Sequence, residues 1–136
     1  MRHCVNGTGI LAAIFCLEVL LAAGCQRPQA APSGFTIEHE IAPQPPRVGL
    51  VTVTFRMADA ASKPVTGAHI QVEGDMSHAG MAPVFADARE VEPGRYQAAL
   101  NFSMAGDWVV LLHIELQGGE KVERQFDVGG VVDGTR

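Results

Sequence analysis

The chain has 136 residues and a formal net charge of −5, with its Lys and Arg scattered rather than clustered. That length holds one domain with an ordinary core, not two. An acidic chain without a basic patch lacks the electrostatic footprint of a nucleic-acid binder, so no nucleic-acid partner is expected.

The first element is a targeting segment. Met1-Arg2-His3 open it, Gly9 to Leu21 form a nearly unbroken apolar run, and Ala22-Ala23-Gly24 precede Cys25. The run is shorter than the roughly 20 apolar residues a bilayer-spanning helix needs, and a basic start, apolar centre and small-residue end describe a cleaved leader. Small residues followed by Cys resemble the bacterial lipobox, in which the Cys becomes the first mature residue and carries the lipid. The expectation is a lipoprotein-type signal peptide over residues 1–24, lipidation at Cys25, and a protein anchored to the membrane on the periplasmic or extracytoplasmic face of the cell envelope; plain signal-peptide cleavage and an uncleaved anchor are the alternatives. Cys4, Cys16 and Cys25 are the only cysteines. None is left in the folded part for a disulfide, a Cys-ligated zinc or thiol chemistry.

Residues 25–34 read as a flexible tether rich in Pro, Ala and Gln. A domain follows over residues 35–128, with 129–136 as a C-terminal tail. Phe35 to Ile41 alternates apolar and polar residues and ends at Pro43, Pro45 and Pro46, which suits an edge strand. Leu50 to Met57 places Val51, Val53, Phe55 and Met57 on one face. Ala68 to Glu73 turns Ala68, Ile70 and Val72 inward. Further inward rows are Tyr96, Ala98, Leu100 and Phe102, then Trp108, Val110, Leu112, Ile114 and Leu116, then Val122, Phe126 and Val128 in Lys121 to Val128.

Turn signals separate these segments: Asp59 to Gly67, Glu92-Pro93-Gly94, Ala105-Gly106-Asp107, and the hairpin Gln117-Gly118-Gly119-Glu120. No segment after the leader shows a sustained helical period. About seven short strands with turns every 8–12 residues describe an all-β, immunoglobulin-like β-sandwich. Tyr96, at a strand start just after Pro93-Gly94, is placed to act as the tyrosine-corner residue of such folds.

The loop Asp75-Met76-Ser77-His78-Ala79-Gly80-Met81 stands apart from this pattern. It puts two thioethers and an imidazole in a stretch with no apolar periodicity to bury them, and thioether and imidazole donors suit Cu(I). Gly80 lets the backbone turn so that donors converge. Met104, before the Trp108 strand, joins them if the two loops lie at one end of the sandwich. The candidate metal ligands are therefore Met76, His78, Met81 and Met104. The alternative is packing alone, with Met76 and Met81 capping the open end of the sandwich and Met104 lying beneath Trp108.

Other chemistry finds little support. His39, His69 and His113 fall at outward positions of alternating strands, and His113 joins a site only if its face is covered. No carboxylate pair is poised for acid–base work, and Ser77 beside His78 lacks an oriented base and an oxyanion hole. The chain is not expected to be an enzyme.

The run Pro64-Val65-Thr66-Gly67-Ala68, the Met-containing loop, Pro83, Pro93-Gly94-Arg95-Tyr96 and Phe102-Ser103-Met104-Ala105-Gly106-Asp107-Trp108 together resemble the YtkA-like domain family, with a more distant likeness to FixH-type proteins. The resemblance implies an immunoglobulin-like fold outside the cytoplasmic membrane and, for some members, copper delivery to a respiratory oxidase. Members often carry an M-P-G-M-type loop where this chain has Met76-Ser77-His78-Ala79-Gly80-Met81, and a Met where it has Met104. The expected function is thus that of a lipid-anchored envelope protein that binds Cu(I) and acts as a copper chaperone or accessory protein, with an oxidase subunit or an efflux component as partner. The alternative is a non-catalytic interaction module of the envelope that carries no metal.

Overall fold

Strict alternation of apolar and polar residues lets each strand bury one face and wet the other, and the fold follows that rule nearly throughout. The computed structural model describes residues 34–78 and 80–134. The expected leader, Cys25 and the expected tether as far as residue 33 lie outside the described residues. The strands are β1 (Phe35–Ala42), β2 (Gly49–Asp59), β3 (His69–Met76), β4 (Val84–Asp87), β5 (Arg89–Glu92), β6 (Arg95–Phe102), β7 (Gly106–Glu115) and β8 (Lys121–Val131). They form two antiparallel four-stranded sheets, ordered β1-β2-β6-β5 and β4-β3-β7-β8.

The all-β sandwich expected from the sequence is therefore observed, with eight strands rather than about seven. β4 and β5, the two strands not among the six segments delimited from the sequence, are short and peripheral. They are consecutive pieces of one segment that pairs with β3 in one sheet and then, past Ala88, with β6 in the other. The Ala88 amide donates to the Ile70 carbonyl at the crossing (2.9 Å). The last strand also runs on to Val131, past the Val128 expected, and the Val132 carbonyl accepts from the Val48 amide (2.9 Å).

The core lies between the sheets. Val51, Val53, Phe55 and Met57 of β2 meet Ile70 and Val72 of β3, Tyr96, Leu100 and Phe102 of β6, and Trp108, Val110, Leu112 and Ile114 of β7, all buried. The Trp108 ring tilts against Phe102 at 5.0 Å between centroids. Gly74 occupies an inward position of β3, where a Cβ would approach Val84 to 2.9 Å and Leu100 to 3.1 Å. Only a residue without a side chain lets β3 sit this close to its neighbours.

The Tyr96 hydroxyl donates to the Val65 carbonyl (2.9 Å) and accepts from the Ala68 amide (3.1 Å). It therefore ties the distant β2–β3 connection to β6, whereas a tyrosine corner bonds the backbone a few residues upstream. Burial holds its pKa above the usual phenol value. On the side opposite the β4–β5 crossing, β1 and β8 face each other without shared backbone pairing among the described residues. His39 stacks on Phe126 there (3.9 Å between centroids, 20° between planes), and the Arg124 guanidinium lies 5.8 Å from the Phe35 ring centre. His39 is exposed, as expected of a surface residue, but it stands on the row of Phe35, Ile37 and Ile41 rather than on the outward one, and its ring covers Phe126 at the open side.

Candidate metal site

Three of the chain's five methionines gather at one end of the sandwich. Met76 ends β3 opposite Trp108 near the start of β7, so the loop after β3 and the loop before β7 emerge together. Ser77 fastens them: its amide (3.1 Å) and its hydroxyl (2.9 Å) both donate to the Asp107 carbonyl. The Asp107 carboxylate accepts from the Gly130 amide (2.9 Å), drawing the end of β8 to the same rim. The condition under which Met104 was expected to join the loop, that both loops lie at one end, is met.

The individual donors differ in how firmly they are held. Met76 is half-buried and packs against the core. Its Cε lies where a Cβ on Gly106 would approach to 2.9 Å, and Gly106 has φ 134°, so glycine there answers both a steric and a conformational demand. Met104 is held through its backbone, whose carbonyl accepts from the Trp108 indole N–H (3.0 Å), while its side chain is exposed. His78 and Met81 are exposed on the intervening loop, where Gly80 adopts φ 93°, the reversal expected of it. Met76 thus fits the packing alternative in part, while Met81 and Met104 are more exposed, at 38% and 47%.

Met57 supplies the contrast. It is buried at the other end of β2, where its amide donates to the Gly94 carbonyl (2.8 Å), and it serves as core. One methionine fills the interior, and three thioethers collect on a rim with an accessible imidazole. Among the described residues no group of three or more His, Cys, Asp or Glu side chains is placed to hold a metal ion. The candidate donors carried by the two loops are three thioethers and one imidazole, residue types that suit Cu(I).

A second constellation was missed from the sequence. On the outer face of β4-β3-β7-β8, His113 stands between two carboxylates, with Nε2 2.6 Å from Glu73 Oε2 and Nδ1 3.2 Å from Glu123 Oε1. The hydrogen bond to Glu73 is the main cause that raises its pKa above the ordinary imidazole value; burial opposes it and Glu123 reinforces it. The ring lines a cavity of about 320 Å³ with His69, Glu115 and Lys121. Outward alternation signalled the face; the diagonal reach to Glu73 depends on strand register. His69 is exposed on the same face, as expected.

Glu90 is a third group whose role is structural. Its carboxylate accepts from the Gly94 amide (3.0 Å) and the Gly67 amide (2.9 Å), which joins the β5–β6 turn to the β2–β3 connection. Those bonds, that from Gly94 foremost, hold its pKa below the usual carboxylate value.

Comparison with known proteins adds a family. The family model described as YtkA-like matches residues 30–113, from before β1 almost to the end of β7. Comparison with curated proteins gives no match. Among solved structures, the soluble domain of PmoD from Methylocystis sp. ATCC 49242 (Rockwell) is similar at a TM-score of 0.46 and 15% sequence identity, over 72% of this chain and 90% of that one. An overlap that low carries no argument about either chain's role.

Proposed function

Because the chain belongs to the YtkA-like family, we propose that it is a lipid-anchored, non-catalytic protein of the cell envelope that binds Cu(I) at the rim formed by Met76, His78, Met81 and Met104, and hands it to a partner such as an oxidase subunit or an efflux component. The observation that carries this reading is the pairing of Met76 with Trp108, which brings two methionine-bearing loops to one rim while Met57 alone fills the core. Thioethers do not titrate and bind Cu(I) without strict geometry. A partly flexible donor set can therefore take up the ion and release it. His78 ligates only as the neutral imidazole.

Copper in this reading is cargo. Met76, the most firmly held donor, serves as the fixed point, and the exposed His78, Met81 and Met104 approach the ion or yield it to competing ligands. Cys25 carries the lipid that keeps the domain at the membrane.

The deciding experiment titrates the protein with Cu(I) in competition with a chromophoric chelator. One equivalent is expected for wild type and none for the Met76→Leu/Met81→Leu variant, whose fold is kept because Leu preserves volume and removes the sulfur. Equal binding in the two overturns the rim as the copper site, and none in either discards the copper reading and leaves a metal-free interaction module as the better account. For the anchor, Cys25→Ala should move the protein from the membrane fraction to the soluble envelope fraction or leave it unprocessed. Wild type recovered wholly without detergent would contradict lipidation.

A further inference from the structure

His113 stands at the centre of a three-strand contact that neither the copper rim nor the family accounts for. It lies on β7 directly opposite Glu123 of β8, and one row diagonally from Glu73 of β3. Each ring nitrogen faces a carboxylate oxygen, at 2.6 Å for Glu73 and 3.2 Å for Glu123. An ionised carboxylate only accepts hydrogen bonds. Both contacts are hydrogen bonds only when the imidazole bears a proton on each nitrogen; a neutral ring donates to one carboxylate and turns a lone pair toward the other.

We infer that His113 is a proton-dependent clamp that fastens the edge strand β8 to β3 across β7, closed as the imidazolium and open on the Glu123 side when the ring loses a proton. The asymmetry of the contacts decides which side opens. The Glu73 side chain is 19% exposed and makes the shorter contact, whereas Glu123 is 75% exposed and makes the longer one. The proton that remains stays on Nε2, and Nδ1 gives up its hydrogen bond.

The surroundings favour the charged ring. From β3 it faces Glu73 and His69, from β7 Glu115, and from β8 Glu123 and Lys121, while Asp87 of β4 pairs opposite Gln71 in the same row. Carboxylates outnumber the one lysine. Deprotonation therefore removes the cation that separates Glu73 from Glu123. β8 pairs with β7 alone in its sheet, so the clamp is its side-chain tie to a second strand of that sheet. Because the folded pKa is raised, the clamp's contribution is complete below the unfolded value of about 6.5. It is lost as pH rises through the folded value.

The test is nitrogen-detected NMR of the ¹⁵N-histidine-labelled full chain, with amide exchange across β8 normalised to intrinsic rates. The His113 midpoint should lie above the unperturbed imidazole value of about 6.5, with both ring nitrogens protonated below that midpoint. Glu73→Gln and Glu123→Gln should each move the His113 midpoint to lower pH, the first by more. Protection of residues 121–125 should step down as wild type passes its midpoint, and Glu123→Gln should show no such step. A midpoint at or below about 6.5, a midpoint unmoved by either substitution, or β8 protection without a step would overturn the clamp. Should Glu73→Gln fail to fold, Glu123→Gln at the exposed position decides the matter by the same readings.

Discussion

The Trp108 indole donates to the carbonyl of Met104, four residues earlier in the chain, while the ring itself is buried against Phe102. A core residue thereby sets the backbone of an exposed candidate ligand. Stability and site geometry meet in this one bond.

Trp108→Ala should destabilise the protein by about 3–5 kcal/mol, the range for truncating a buried aromatic. Trp108→Phe should cost less, retaining most of the packing while leaving the Met104 carbonyl without its donor. Denaturant titration of both variants measures the difference. As the chain's only tryptophan, Trp108 should also show blue-shifted, quencher-protected emission, and emission resembling exposed indole would refute its burial.

Tyr96→Phe isolates one hydroxyl. The substitution leaves the Val65 carbonyl and the Ala68 amide without their partner, and an unsatisfied buried polar group costs about 1–3 kcal/mol. Chemical denaturation should show that loss. Faster amide exchange at Ala68 should accompany it, because the β2–β3 connection is released from β6.

Glu90 should shape the acid limb of stability. Its folded pKa is lowered by the Gly94 and Gly67 amides, so the stability it contributes is present above the unfolded value of 4.5 and is lost as pH falls through the folded value. Wild type should therefore exceed Glu90→Gln in stability at neutral pH, and the gap should close in acid. A gap that is constant from pH 7 to pH 2 would show that ionisation of this carboxylate is not what stabilises the turn.

Gly106→Ala should damage the rim before it damages the core. The added Cβ meets the Met76 Cε at 2.9 Å and sits on a backbone with φ 134°. The flexible thioether must move, so Cu(I) affinity should fall in chelator competition. Met57→Leu, a volume-conserving change in the core, should leave that affinity unchanged. Loss of copper binding in Met57→Leu would contradict assignment of the site to the rim.

The strands that proved legible in the sequence are those whose alternation coincides with burial. Val51, Val53, Phe55 and Met57 face inward as the pattern requires, and Trp108, Val110, Leu112 and Ile114 do the same. The segment of β4 and β5 inverts the rule: Phe85 is more than half exposed while the smaller Ala86 turns inward, and every residue of β5 is exposed. Hydrophobicity there points the wrong way, so periodicity could not reveal the strands. The row of His39 misled for a related reason, since an imidazole on an inward row reads as polar until Phe126 of a distant strand is found beneath it.

The candidate ligands were legible by composition, because thioethers in a loop without apolar periodicity have no packing partner in view. The placement of their loops at one end was not. It follows from the register that sets Met76 opposite Trp108, a pairing more than 30 residues apart that no local pattern encodes. The contact of His113 with Glu73 has the same origin, since a one-residue slip of β3 would turn Glu73 inward.

The two sides of the sandwich are joined by different means. At Ala88 a single stretch of backbone passes from one sheet to the other, so the sheets are linked there by covalent bonds and hydrogen-bonded on both sides of the passage. Opposite, the facing strands β1 and β8 share no backbone ladder among the described residues; His39 stacks on Phe126, Arg124 lies over Phe35, and backbone bonds from Val132 to Val48 and Pro46 pin the chain just past β8. The molecule therefore has a spine and a fore-edge, like a bound book. Parting of the sheets along the fore-edge should therefore expose Phe126, half-buried against His39 and Phe55, without breaking a ladder between β1 and β8.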